Sequence, residues 1–336
     1  MDLPALDDLL GELRVVALPM RNRFRGIDTR EVALLRGPAG WGEFAPFTEY
    51  DDAESAWWLA AGLEQAWLGP PPALREQVTV NATVPAVRPE QVAQVLAEFP
   101  GCTTAKVKVA DGALADDLAR VAAVRELVPT VRVDANGRWS VPTAVAALRA
   151  LGSQGPLEYA EQPCATVEEL VAVRAAGTGV PIAADEGIRR ASDPLRVARA
   201  GAADVAVLKV APLGGMRAVL ALAAVLREEH GLPVVISSAL DSAVGISGGL
   251  ATAAAVPDLR LACGLATGGL LAADVVADVR PVGGVLAVGP VTPDQARMRV
   301  LAAPPERARW WEQRLRRAHA LLAAGHPAWP PTRDGA

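Results

Sequence analysis

The sequence predicts an α/β fold in which parallel strands close into a barrel, preceded by a small α+β unit. Two observations carry that prediction. From about residue 78 onward, eight short β-branched runs alternate with helical stretches, and strands joined through helices pair in parallel. The 336 residues are 51% hydrophobic and 21% charged, enough for one large core with a small companion and far too apolar for a disordered chain. An open doubly wound sheet shows the same alternation, so the pattern by itself leaves the closure open.

Taken in order, residues 1–77 read as the α+β unit. VVALPMRNRFRGIDTREVALLRG predicts an antiparallel pair with a loop around Pro19 to Ile27. A helix follows over Asp51 to Gly69, closed by Pro70-Pro71-Pro72. The predicted barrel strands are Val78 to Val84, Thr104 to Val109, Val131 to Ala135 and Leu157 to Glu161, then Pro181 to Glu186, Val205 to Val210, Pro233 to Ser238 and Arg260 to Gly264. Helix signals lie between them: Ser140 and Thr166 are N-caps, Pro142 stands in a first turn, and Gly231 ends the helix that starts at Gly215. The barrel is expected to occupy residues 78–285. Residues 286–336 hold the end of a short strand, an Arg-rich helix and a Pro-rich tail. With no barrel position left to fill, this segment is expected to fold back on the N-terminal unit.

Composition excludes several function classes. A formal charge of −5 argues against a nucleic-acid surface. No amphipathic basic helix suggests a membrane surface. The longest uncharged stretch, Ser242 to Pro257, is broken by Ser, Thr and Gly and falls short of the roughly 18 apolar residues a spanning helix needs. The N-terminus is acidic, without the pattern of a signal peptide. Cys102, Cys164 and Cys263 have neither disulfide-framework nor metal-ligand spacing. A cytoplasmic location is expected, with no nucleic-acid, membrane or protein partner.

Of 33 basic residues only three are lysines: Lys106, Lys108 and Lys209. Arginine does not deprotonate in proteins, whereas a lysine can serve as a base. The spacing of these lysines with three carboxylates is the strongest signal in the chain. Lys108 to Asp134 is 26 residues, Asp134 to Glu161 is 27, Glu161 to Asp185 is 24, and Asp185 to Lys209 is 24. Each interval is one strand–helix unit, and each residue ends its strand, so in a barrel all five face one bowl. Lys106 shares the side of Lys108. Three carboxylates without His or Cys are hard oxygen ligands suited to Mg²⁺, with Mn²⁺ as a substitute. A cation beside a lysine favours the neutral amine, and the pair is suited to removing a proton α to a carboxylate.

At these residues the sequence resembles the enolase superfamily, in its muconate-cycloisomerase-like branch. The motifs are TAKVKV, VRVDANGRWS, EYAEQPC, IAADEGI and VAVLKVAPLGG. The resemblance spans nearly the whole chain and implies a modified (β/α)7β TIM-type barrel with a small α+β capping domain. Within the branch the chain is similar to the o-succinylbenzoate synthases of actinobacterial type, on PMRNRFRGI, VNATVPA, SSALDSAVGI and CGLATGGLL. That likeness implies dehydration of 2-succinyl-6-hydroxy-2,4-cyclohexadiene-1-carboxylate to o-succinylbenzoate in menaquinone biosynthesis. Lys108 would abstract the α-proton and return it to the departing hydroxyl, and Lys209 would stabilise the anion from the opposite face. Lys106 would tune Lys108, Asp134, Glu161 and Asp185 would hold the metal, and Asn136 would be a polar site residue. Arg21, Arg23, Phe24 and Arg25 of the capping loop are candidates to meet a small dianionic substrate. Ser237, Ser238 and Gly264 would serve its succinyl end.

Two opposed lysines also suit an N-acylamino acid racemase of the same branch. Dipeptide epimerisation and muconate cycloisomerisation are disfavoured, because CGLATGG lacks the acidic residues expected near the eighth strand. A non-catalytic barrel leaves the lysines unexplained, and a Schiff-base aldolase leaves the carboxylates so.

Overall fold

The computed structural model describes every residue except 1, 25, 189–192, 279, 328 and 330–336. The chain opens with α1 (Leu6–Glu12) and an antiparallel sheet of β1 (Arg14–Phe24), β2 (Ile27–Gly37) and β3 (Gly40–Phe44), in that order. Helix α2 (Asp52–Leu63) begins where the Asp51 carboxylate accepts the Glu54 amide at 2.8 Å. It crosses β3 glycine against glycine, since a Cβ on Gly62 would lie 2.5 Å from the Glu43 carbonyl oxygen.

The loop predicted at Pro19 to Ile27 is mostly strand. β1 runs on to Phe24, and its pairing with β2 jumps from Pro19–Thr29 to Phe24–Ile27. The cause lies on the other edge: Met20 bridges to Leu271, and the Pro19 carbonyl accepts the Ala272 amide at 2.7 Å. The barrel itself thus holds this stretch extended.

The predicted first barrel strand, Val78 to Val84, is two strands, β4 (Gln77–Thr79) and β5 (Ala82–Val84). The barrel sequence then runs α3 (Val92–Leu96), β6 (Thr104–Lys108), α4 (Leu114–Arg125), β7 (Thr130–Asp134), α5 (Val141–Ser153), β8 (Ala160–Glu161) and α6 (Val167–Ala175). It continues with β9 (Ile182–Ala184), α7 (Asp193–Arg199), β10 (Val205–Lys209), α8 (Met216–His230), β11 (Val234–Ser237) and α9 (Ala243–Ala255). β5 to β11 form one parallel sheet in chain order. Its two edges meet across Cys263 and Gly264, which bridge to Val80 and Ser237. The predicted eighth strand is therefore reduced to a seam that closes the barrel. β12 (Val285–Ala287) pairs antiparallel with β4.

The period of two along each strand sorts the side chains. One set, including Val107, Val133, Ile182, Leu208 and Ile236, packs into the main core under the helices. The alternate set forms the barrel interior, where Tyr159, Ala183, Val205, Val207 and Val235 make a separate cluster. One step further along those same faces stand Glu161, Asp185, Lys209 and Ser237.

Beyond the barrel, α10 (Gln295–Val300) and α11 (Pro305–Ala323) return to the N-terminal unit. The Arg314 guanidinium is buried and donates to the carbonyls of Pro46, Phe47 and Tyr50 and to Ser55 Oγ. Burial lowers its pKa to about 10. Among the described residues, no helix is long and apolar enough to cross a membrane.

Candidate active site

Five strands deliver the six charged residues singled out above to one end of the barrel. Lys106 Nζ donates to both Glu161 oxygens, at 2.7 and 2.9 Å, and lies 3.3 Å from Asp134 Oδ2. Lys108 Nζ meets Asp134 Oδ2 at 2.5 Å and Asn136 Oδ1 at 2.8 Å. Across the bowl, Lys209 Nζ contacts Asp185 Oδ2 at 2.6 Å. The three carboxylates are almost fully buried, at 1–2% exposure. Asn136 is held from behind, its Nδ2 donating to Glu186 Oε1 at 3.0 Å. Gln162 accepts the amides of Asp185 and Gly187, which fixes the chain around Asp185.

Electrostatics follow from that packing. Burial, and then the neighbouring Asp134 charge, raise the Glu161 carboxyl to about 8. Asp134 goes the other way: burial opposes its charge, but the ammoniums of Lys108 and Lys106 outweigh it. Burial likewise opposes the Lys106 charge, yet Glu161 and Asp134 overcome it and raise that lysine's pKa. Among the described residues, no three carboxylates, cysteines or histidines already stand grouped as a metal cage. The donor set nonetheless fits a divalent cation. Three buried hard-oxygen side chains end neighbouring strands, burial and then the Asp134 charge push Glu161 toward protonation, and each of the three is paired with a lysine.

The backbone is strained around this bowl. The non-glycine residues with φ in the left-handed region, among those described, are Ala110, Asn136, Gln162 and Leu240. Each follows a site side chain by one to three positions, consistent with strain concentrated where side chains must be aimed.

A cavity of about 30 Å³ lies over the lysines, lined by Lys106, Lys108, Lys209, Asp134, Ser237, Ser238 and Gly264. Phe24 and Phe47 from the N-terminal unit roof it, the Phe24 ring centroid 5.4 Å from Lys108 Nζ. Gly264 is required by close packing, since a Cβ there would lie 2.4 Å from Ser237 Oγ. A wider space of about 550 Å³ opens nearby, bounded by Arg30, Asn136, Arg138, Glu186 and Arg307.

Two of the capping-loop arginines expected near substrate, Arg21 and Arg23, have partners elsewhere. Arg21 pairs with Glu98 at 3.1 Å, and Arg23 donates to the Gly26 carbonyl in its own turn. Arg25 lies outside the described residues. Side-chain alternation along β1 turns Phe24, not its described neighbour Arg23, toward the bowl. Sequence reasoning passed over Thr83, Phe47, Leu240 and Thr267 as lining residues, although Thr83 and Thr267 sit inside the quoted motifs VNATVPA and CGLATGG.

Residues 89–304 match the family model described as enolase C-terminal domain-like, and residues 15–66 match enolase N-terminal domain-like. The chain is 61% identical to the o-succinylbenzoate synthase of Mycobacterium tuberculosis (strain ATCC 25618 / H37Rv) over 322 residues, covering 95% of this chain and 97% of that protein. It is likewise 61% identical to the o-succinylbenzoate synthase of Mycolicibacterium smegmatis over 321 residues, covering 95% and 98%. The fold is similar to that of muconate lactonizing enzyme from Pseudomonas putida, with a TM-score of 0.71 at 22% identity, covering 87% of this chain and 98% of the other. A barrel mouth where lysines face carboxylates, on a chain that shares three residues in five with those synthases along nearly its whole length, belongs to the enolase superfamily and, within it, to the o-succinylbenzoate synthase family.

Proposed function

We propose that this chain catalyses the o-succinylbenzoate synthase reaction through the residues of this bowl. The reaction removes water from 2-succinyl-6-hydroxy-2,4-cyclohexadiene-1-carboxylate: the C1 proton and the C6 hydroxyl leave, and the ring becomes aromatic. The observation that carries the site assignment is the opposition of Lys108 and Lys209 across one cavity, with Asp134, Glu161 and Asp185 between them.

Asp134, Glu161 and Asp185 would hold a divalent cation, Mg²⁺ with Mn²⁺ as substitute, and its charge makes a proton α to a carboxylate more acidic. Lys108 Nζ takes that proton and, as an ammonium on the same ring face, gives it to the departing hydroxyl. Asn136, locked by Glu186, orients Lys108. Lys209 faces the developing anion with a fixed positive charge. Lys106 holds Glu161 and Asp134 in place. Phe24 and Phe47 exclude water from above, while Ser237, Ser238 and the backbone at Gly264 border the succinyl chain. Residues 1–77 and 286–336 make up the capping side and 78–285 the barrel, in a cytoplasmic enzyme of menaquinone biosynthesis with a small dianionic substrate.

The opposed lysines also favour one-carbon proton exchange, as in an N-acylamino acid racemase, and this is the second reading. An ultraviolet assay of dehydration with Mg²⁺, comparing wild type with Lys108→Ala, tests the first. Activity that disappears with EDTA and in the variant is expected. Turnover that survives Lys108→Ala refutes the assignment of the base. If intact, metal-loaded protein fails to dehydrate the substrate yet exchanges the α-proton of N-succinylamino acids with deuterium, the racemase reading takes its place.

A further inference from the structure

Two glutamates of the N-terminal unit reach across to the barrel and cap the helices that follow its sixth and seventh strands. Glu64 accepts the amides of Met216 and Arg217 at the start of α8, at 2.5 and 3.1 Å. Glu43 accepts the amides of Ser242 and Gly245 at the start of α9, at 3.0 and 3.2 Å, and the Ser242 hydroxyl at 2.5 Å. Glycine makes room for both: a Cβ on Gly215 would lie 2.0 Å from Glu64 Oε2, and one on Gly245 would lie 3.0 Å from Glu43 Oε2.

The two contacts differ in what they hold. The chain just ahead of α9 is the cavity wall, with Ser238, Ala239 and Leu240 lining it. Leu240 takes a left-handed φ of 63°, a conformation that needs support from its surroundings. That support comes from the N-terminal unit. Arg30 Nε donates to the Leu240 carbonyl at 3.1 Å, and Glu43 anchors the chain two residues later. Asp241 and Asp274 face Glu43 from the barrel side and Arg30 from its own, so the buried carboxyl stands among like charges. Burial and the Asp241 charge raise it to about 8, leaving a neutral acid near pH 7 whose oxygen still accepts the amides.

We propose that Glu43 is a positioning residue for substrate binding: by anchoring Ser242 and Gly245 from the capping unit, it sets the shape of the cavity wall at Ser238–Leu240. Docking of the cap and shaping of the pocket are then one event. This rests on the functional reading above, in that the wall is taken to border the substrate.

The test compares Glu43→Ala, Glu43→Gln and Glu64→Ala, using dehydration kinetics with Mg²⁺ and amide hydrogen exchange across residues 238–245. Glu43→Ala is expected to raise KM at least tenfold with kcat changed less than threefold, and to speed exchange at Ser242 and Gly245. Glu43→Gln mimics the neutral acid and is expected to restore KM to within threefold of wild type. Glu64→Ala removes a similar cross-domain cap and is expected to lower thermal stability without moving KM. An unchanged KM in Glu43→Ala, or equal KM shifts in Glu43→Ala and Glu64→Ala, overturns the proposal. If Glu43→Ala does not fold, Glu43→Asp, one methylene shorter, replaces it with the same expectations. A wild type without turnover refutes the functional reading instead. Exchange then decides the anchoring by itself: protection of Ser242 and Gly245 unaltered in Glu43→Ala overturns it.

Discussion

Replacing Lys106 with Met keeps the length and most of the packing of the side chain while deleting its charge. In the wild type three lysine side chains face three buried carboxyl groups. Lys106→Met leaves Glu161 without the ammonium that both of its oxygens contact, in a place where that carboxylate is 1% exposed. Breaking one side of a buried ion pair costs about 3–5 kcal/mol. With an unfolding entropy of about 2.1 cal/mol/K per residue, 336 residues give roughly 0.7 kcal/mol/K, so Tm should fall by about 4–7 °C in EDTA. A divalent cation should reverse the loss, because it supplies the missing positive charge to the same oxygens. Lysine and cation compete for these carboxylates, so the variant should bind Mg²⁺ more tightly, by up to about 10² to 4 × 10³-fold if the whole loss is recovered. Scanning calorimetry in EDTA, then across a Mg²⁺ titration, reads both quantities. A variant that melts within about 1 °C of wild type in EDTA, or binds Mg²⁺ no more tightly, would refute both the ion-pair reasoning and Glu161 as a ligand.

Three further outcomes are expected. Burial and then Asp241 raise the folded-state pKa of Glu43 to about 8, burial and then Asp134 raise that of Glu161 to about 8, and burial raises that of Asp274 to about 6, so the native chain, without metal, holds protons that the unfolded chain has released. Stability should therefore fall as pH rises above about 4.5, by roughly 1.4 kcal/mol per pH unit for each such proton until its folded-state pKa is passed; urea midpoints in EDTA up to about pH 8 should show the slope, and Glu43→Gln should remove its own share of it. Gly264→Ala puts a Cβ 2.4 Å from Ser237 Oγ at the barrel seam and should cost about 1–3 kcal/mol together with most of the activity, with an unshifted Tm counting against the seam as a packed closure. Arg314→Met strands three carbonyls and Ser55 Oγ between α11 and the N-terminal unit, and should destabilise by about 3 kcal/mol in urea titration without changing the metal requirement.

Much of this site was legible because barrel geometry converts sequence interval into position. Residues 24 to 27 apart, each ending a β-branched run, have nowhere to go but neighbouring strand ends. The strands were read for the same reason, and the seam at Cys263 and Gly264 was overread: two edges capture those residues, and no longer extended run is needed. The tip of the β1–β2 pair was underread, because what keeps Met20 extended is Leu271, some 250 residues away in sequence. The same distance hid Glu43 and Glu64. Their partners lie 199 and 152 residues further along the chain, and no local periodicity records a carboxylate aimed at another domain's helix. Arg21 and Arg23 show the converse, since proximity in sequence to Phe24 said nothing about which way each side chain turns.

The lysine distribution has a practical consequence for anyone handling this molecule. Apart from the α-amine at the start of the chain, every primary amine it has stands in the barrel mouth, and Lys106 and Lys108 are 7% exposed. Amine-directed labels, which on most proteins decorate the surface at random, should react here at the terminal amine, because the largely buried, ion-paired lysines are protected while the barrel is folded. Amine cross-linkers will be poor reporters of assembly, whereas arginine-directed reagents have 30 side chains to meet, with Arg30, Arg120, Arg132 and Arg314 withheld by burial.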